Sequence, residues 1–149
     1  MRKQFLLMLV LCLTASLTWA ERIDVATARK VAGSVAQREG VTSGLRSASD
    51  LSLVYAAAPG QSGSALRSGT MEGSADYFVF NFPGEKGFAI VAGDDRVRPV
   101  LGYSDKGSFD PDKLPENLRG MLAYYQDQIT WANDKGIEPP RTSPPSGTN

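Results

Sequence analysis

Residues 76–104 run DYFVFNFPGEKGFAIVAGDDRVRPVLGYS. Tyr77, Phe78, Val79, Phe80 and Phe82 mix aromatic and β-branched side chains that suit a pleated surface, so the segment is predicted to be a strand. Pro83-Gly84-Glu85-Lys86-Gly87 interrupts it with strong turn formers, and Phe88-Ala89-Ile90-Val91-Ala92 resumes the apolar run at once. That is the pattern of an antiparallel hairpin whose loop exceeds two residues. Gly93-Asp94-Asp95-Arg96 breaks the pattern again, and Pro99-Val100-Leu101-Gly102-Tyr103 follows too closely for a crossover helix. The three strands therefore form a meander, with Pro99 at a strand start or edge because it has no N–H to give.

Downstream, Asp105 to Asn117 carries two prolines and a glycine that hold it out of regular structure, while Phe109 and Leu114 give it apolar anchors. A helix is expected from about Pro115, with Glu116 at the positive end of its dipole. Leu118, Met121, Leu122, Tyr125, Ile129 and Ala132 form its apolar stripe, and Lys135-Gly136 supplies the stop. The remainder, 137–149, is a Pro- and Ser-rich tail with nothing to pack.

Upstream, Asp24 is a good N-cap for a helix in which Val25, Ala28, Val31, Ala32, Val35 and Ala36 recur at spacings of three and four. Its other face shows Arg29, Lys30, Gln37 and Arg38, and Gly40 ends it. Leu51, Leu53 and Tyr55 then alternate with smaller residues, the mark of a fourth, half-buried strand. Between Ala58 and Ala75 almost no bulky residue occurs, and the stretch reads as a flexible loop. The expected architecture is α+β: an antiparallel, four-stranded, meander-like sheet packed by an N-terminal and a C-terminal amphipathic helix, spanning 21–136.

Residues 1–20 have a different character. Arg2-Lys3 precede the apolar run from Phe5 to Leu13, and Thr18-Trp19-Ala20 ends on a small residue, which reads as a secretory signal peptide cleaved near Ala20. The stretch from Phe5 to Ala20 falls short of the roughly 20 apolar residues a membrane span needs. Lipidation at Cys12 is disfavoured by the bulky Leu11 before it. Cys12 is the single cysteine, so the mature chain, secreted or periplasmic, holds its fold without a disulfide.

A chain of 149 residues supports one domain with a modest core. Lys plus Arg and Asp plus Glu each number 16, so no excess positive charge draws it to nucleic acid. Histidine is absent. Nucleophilic catalysis then lacks both a thiol and an imidazole, no serine sits in a nucleophile-elbow pattern, and zinc lacks its usual ligands. The carboxylate pair Asp94-Asp95 is ordinary turn chemistry, since neighbouring strand residues point to opposite faces. Neither a cofactor nor a metal is expected, and the chain is not expected to be an enzyme.

Tyr77-Phe78-Val79-Phe80-Asn81, then Gly87 to Arg96, then Pro99 to Ser104, followed by Gly107-Ser108-Phe109-Asp110, resemble in this order the prodomain of the streptopain family of secreted bacterial cysteine peptidases and the related stand-alone Spi-type protease inhibitors. With weaker matches at both ends the resemblance covers nearly all the chain after residue 20. It implies that the loop before the last helix lies over a peptidase active site and disturbs the catalytic histidine. The matching segment here is Phe109 to Asn117, and Asn117 falls where the family places the intruding polar residue. An amide offers two donors and an acceptor on a short stem, enough to compete for the hydrogen bonds of an imidazole. Phe109, Leu114, Glu116 and Asn117 are thus the expected inhibitory contacts. Pro115 and the long hairpin loop at Pro83 to Lys86 depart from the family pattern, and the catalytic half is missing.

The expected function is a secreted, non-covalent inhibitor, monomeric until it binds a streptopain-like cysteine peptidase. A detached prodomain serving as folding assistant or latency segment is the alternative. From another class, a surface-binding module would use the sheet face around Tyr77 and Val79 as an apolar patch.

Overall fold

A computed structural model of the chain describes residues 22–41, 44–59, 65–66 and 75–138. The expected signal peptide, most of the Gly- and Ser-rich stretch between Ala58 and Ala75, and the tail from 139 onward lie outside the described residues.

Helix α1 (Val25–Arg38) is followed by strands β1 (Ser52–Ala57), β2 (Ala65–Leu66), β3 (Tyr77–Asn81), β4 (Phe88–Ala92) and β5 (Val100–Ser104), and then by helix α2 (Glu116–Asp134). All strand pairings are antiparallel, in the order β2-β1-β3-β4-β5. The meander β3-β4-β5 is the one expected from residues 76–104. The four expected strands are extended by one: the two-residue β2 pairs with β1 through Ala56↔Leu66 and Ala57↔Ala65, inside a stretch read from sequence as a loop. Pro99 sits just before β5 and gives only its carbonyl, to the Ala92 N–H at 2.9 Å.

The sheet is buried on both faces, which explains why β3 reads as a continuous apolar run rather than an alternating one. On one face Phe78, Phe80 and Val91 pack with Ala28, Ala32, Val35 and Ala36 of α1. On the other, Tyr77, Val79 and Ile90 pack with Leu122 and Ile129 of α2 and with Phe109. The face around Tyr77 and Val79 is therefore covered, and the open apolar patch required by a surface-binding module does not exist there.

Both helix ends are chemically specified. Asp24 caps α1 by accepting from the Thr27 N–H at 2.8 Å. At its other end the Gly40 N–H bonds to the Gln37 carbonyl at 3.1 Å and the Val41 N–H to the Ala36 carbonyl at 2.9 Å, with Gly40 at φ +75°. Helix α2 closes in the same way through Gly136 to Asn133 and Ile137 to Ala132, both at 3.1 Å. Arg29 is not on an open face as its spacing suggested. Its guanidinium lies 5.2 Å from the centre of the Phe80 ring and donates to the Leu51 carbonyl.

One irregularity reassigns a face. Leu53 pairs with Phe80 but Tyr55 pairs with Val79, so Val54 is the extra residue of a β-bulge. Leu53 packs toward α1 and Tyr55 toward α2, contrary to the simple alternation of Leu51, Leu53 and Tyr55. The bulge delivers Tyr55 to the side of the sheet where the loop before α2 runs.

Candidate functional site

The loop from β5 to α2 is stitched down at two points. The Gly87 N–H donates to the Gly107 carbonyl at 2.8 Å, tying the loop to the β3-β4 turn. Gly87 adopts φ +114°, and a Cβ there would collide with the Ser104 carbonyl, so only glycine permits this approach. Two residues on, Asn81 at the end of β3 clamps Phe109. Its Nδ2 donates to the Phe109 carbonyl at 3.0 Å and its Oδ1 accepts from the Phe109 N–H at 2.8 Å. A side-chain amide thus continues the sheet ladder where no strand residue is available. The Phe109 ring packs edge-on to Phe88 at 5.5 Å and tilted against Tyr55 at 5.8 Å.

Beyond Phe109 the loop turns on Asp110, whose Oδ1 accepts from the Asp112 N–H at 3.0 Å and whose carbonyl accepts from the Lys113 N–H at 3.1 Å. Pro115 is the N-cap of α2, one place earlier than the first-turn position expected of it, and it supplies no side-chain cap. Glu116 and Asn117 are the first two helical residues and both are exposed. Asn117 makes no side-chain hydrogen bond among the described residues, which leaves its amide available to a partner.

Under this loop lies a cleft of about 260 Å³. Tyr55, Tyr77 and Leu122 line it from the core side, Pro111 and Leu114 from the loop, and Arg119, Ala123 and Gln126 from α2. Tyr55 and Tyr77 stack at 5.8 Å with planes 22° apart. Burial, followed by the neighbouring Tyr55 and Asp76, pushes the Tyr77 phenol far above its ordinary range, so it stays neutral.

Behind the cleft stands a polar lock that sequence reasoning missed. Asp76, 1 % exposed, takes one bond from Arg22 Nη1 at 3.2 Å and another from Gln126 Nε2 at 3.2 Å. Gln126 also donates to the Ala58 carbonyl at 2.9 Å. One carboxylate therefore joins the start of the described chain, the β3 end of the sheet and the middle of α2. A polar residue inside an apolar helical stripe was the available signal for Gln126. Tyr125 adds a second tie by donating from its hydroxyl to the Leu101 carbonyl at 2.7 Å.

The expected contact residues divide accordingly. Leu114 is half-buried and lines the cleft, and Glu116 and Asn117 stand exposed beside it at the head of α2. Phe109 is corrected: at 3 % exposure its ring belongs to the core and props the loop from below, with no surface to offer a partner. Met121, expected in the apolar stripe of α2, is exposed, and Gln126, a polar residue, is buried on the inner face. Asp94 is in a turn as expected, but it is buried and paired with Arg96 at 3.4 Å, and Arg96 also reaches Asn133. Among the described residues no three His, Cys, Asp or Glu side chains gather as a metal site, and no helix is long and apolar enough to cross a membrane.

Comparison with known proteins adds a lineage. The family described as Spi protease inhibitor matches residues 20–129, well over half of the chain. The thiol protease/hemagglutinin PrtT of Porphyromonas gingivalis is 44% identical over 63 residues, 42% of this chain and 7% of that protein. Streptopain of Streptococcus pyogenes is 35% identical over 89 residues, 60% of this chain and 19% of that protein. The chain thus spans less than a fifth of the length of these curated relatives.

Proposed function

The chain belongs to the Spi protease inhibitor family, and on that premise we propose that it is a non-covalent inhibitor of a streptopain-like cysteine peptidase. In this reading the loop before α2 enters the peptidase active site, Asn117 competes for the hydrogen bonds of the catalytic imidazole, and Leu114 and Glu116 make flanking contacts. The observation that carries it is the holding of the loop. The Asn81 clamp, the Gly87 stitch and the buried Phe109 ring fix the backbone from below, while Glu116 and Asn117 stand exposed and Leu114 is half-buried beside them. A loop ordered before binding loses little entropy on contact, which favours affinity.

The protein uses no cofactor, does no chemistry of its own, acts as a monomer until it meets its target and is exported by its first 20 residues. The contact is expected to cover roughly 800 Å² on each partner. Purified protein titrated against mature streptopain and mature PrtT protease should inhibit at one equivalent. Asn117→Ala should weaken inhibition about tenfold, or about 1.4 kcal/mol, with the urea midpoint unchanged, and Leu114→Asp should weaken it at least as much while also lowering the midpoint, because the leucine packs against the core. Unaltered inhibition by both variants would remove the loop from the mechanism.

A second reading, that of a propeptide-like segment that helps a peptidase fold, is favoured by the nature of the relatives, which are named as proteases and matched over a small part of their length. Refolding denatured peptidase with and without this protein separates the two. A folding assistant raises the yield of active enzyme, and a pure inhibitor only lowers activity.

A further inference from the structure

Four large apolar side chains stand exposed among the described residues, and three of them lie on α2: Met121 at 38 %, Tyr124 at 58 % and Trp131 at 57 %. Counted from Asn117 they recur at steps of four, three and seven, so they share one helix face with it. The face runs for about 21 Å from Asn117 to Trp131. Its outward presentation is fixed, because Gln126 on the opposite side is bonded to Asp76 and Tyr125 on the flank is bonded to the sheet. Gln128, also on the face, donates to the Tyr124 hydroxyl at 2.7 Å and steadies the ring.

An acidic edge flanks this face. Glu116, Asp127 and Asp134 follow the same helical edge, all exposed, and Asp127 and Asp134 have no ion pair among the described residues. The last turn of α2 contains no basic residue, and Lys135 at the C-cap, four places past Trp131, is the one base in line with the face. A chain with equal numbers of acidic and basic residues has thus placed a line of carboxylates beside a line of aromatic rings. That combination suits guanidinium and ammonium groups, which gain from the carboxylates and from the ring faces together.

We propose that this face of α2 is a docking rail for the target peptidase, which meets it with a basic surface strip beside its active-site cleft. The inference rests on the inhibitor reading, since Asn117 is both the head of the rail and the residue expected in the active site. Trp and Tyr are the side chains that most often dominate binding at interfaces, and here Tyr124 and Trp131 are each more than half exposed.

The test uses the purified protein with mature streptopain and mature PrtT protease as probes. Tyr124→Ser/Trp131→Ser should raise the inhibition constant about 10- to 100-fold with an unchanged urea midpoint. Asp127→Asn/Asp134→Asn should slow association about tenfold at low salt and flatten its dependence on ionic strength. Wild-type inhibition matched by both variants overturns the rail and leaves the inhibitor reading intact. Absence of inhibition by the wild type against both probes removes the reading, and the rail with it. A wild-type dimer that the aromatic variant dissolves, with inhibition unaffected, assigns the face to a second copy of this chain and also overturns the proposal.

Discussion

Asn81 presents a backbone-like edge to Phe109, giving one hydrogen bond and taking another across 28 positions of sequence. Asn81→Asp keeps the acceptor, removes the donor and sets a carboxylate against a carbonyl oxygen. The expected cost is about 1–3 kcal/mol in urea denaturation, with faster hydrogen exchange at the Phe109 N–H and weaker inhibition through the loosened loop. Asn81 closes the first motif of the family resemblance, but its clamping role has no mark in the sequence, because an Asn at a strand end is ordinary and its partner is remote. Asp50 is the opposite case, a local device. Its Oδ2 accepts from the Arg46 and Ser47 N–H groups at 2.6 and 2.8 Å, and the Ser47 bond, then the Arg46 bond, hold its carboxyl below the ordinary Asp value. A lowered folded pKa means that its stabilisation is present above the unfolded value, about 3.9, and is lost as pH falls through the folded one. The urea midpoint of the wild type should therefore decline more steeply below about pH 4 than that of Asp50→Asn. Equal slopes would show that the carboxylate does not matter to the turn.

Strands β3, β4 and β5 were legible because their apolar runs are separated by Pro, Gly and Asp clusters whose backbone preferences are local. The cap at Asp24 and the stops at Gly40 and Gly136 were legible for the same reason. The bulge at Val54 was not, since it depends on how β1 registers with β3, and alternation alone placed Tyr55 on the wrong face. Nor was β2, whose two residues sit in a composition that argues for a loop. Close approach also escaped notice at Gly93, whose N–H bonds to the Asp76 carbonyl at 2.8 Å. There an added Cβ would collide with the Ala75 carbonyl. Gly93→Ala should lower stability by about 1–3 kcal/mol, read from the shift in urea midpoint, since the strand ends must separate to admit a methyl group. A neutral result would mean that the β3-β4 end is looser than its hydrogen bonds indicate.

At the scale of the molecule, the described residues form a sheet wrapped on both faces, with the loop before α2 seated on the hairpin turn and the cleft beneath it. Composition was informative at this scale: the absence of histidine and the single Cys12 set aside the commonest catalytic constellations before any fold was known. The candidate site was half legible. The expected contacts Leu114, Glu116 and Asn117 lie around the head of α2, whereas Phe109 is a core residue, because an aromatic residue in a Pro-rich loop gives no sign of which way it faces. The lock at Asp76, Arg22 and Gln126 needs three distant elements to meet and had no signature beyond one polar residue in an apolar stripe.

The most direct measurement is a tight-binding titration of a fixed amount of mature streptopain, and separately of mature PrtT protease, with increasing amounts of the purified protein. The account predicts residual activity that falls in a straight line to one equivalent, reversibly and without cleavage of the added chain. Activity that stays flat past a large molar excess against both enzymes, or a protein that is consumed as substrate while activity recovers, would contradict it.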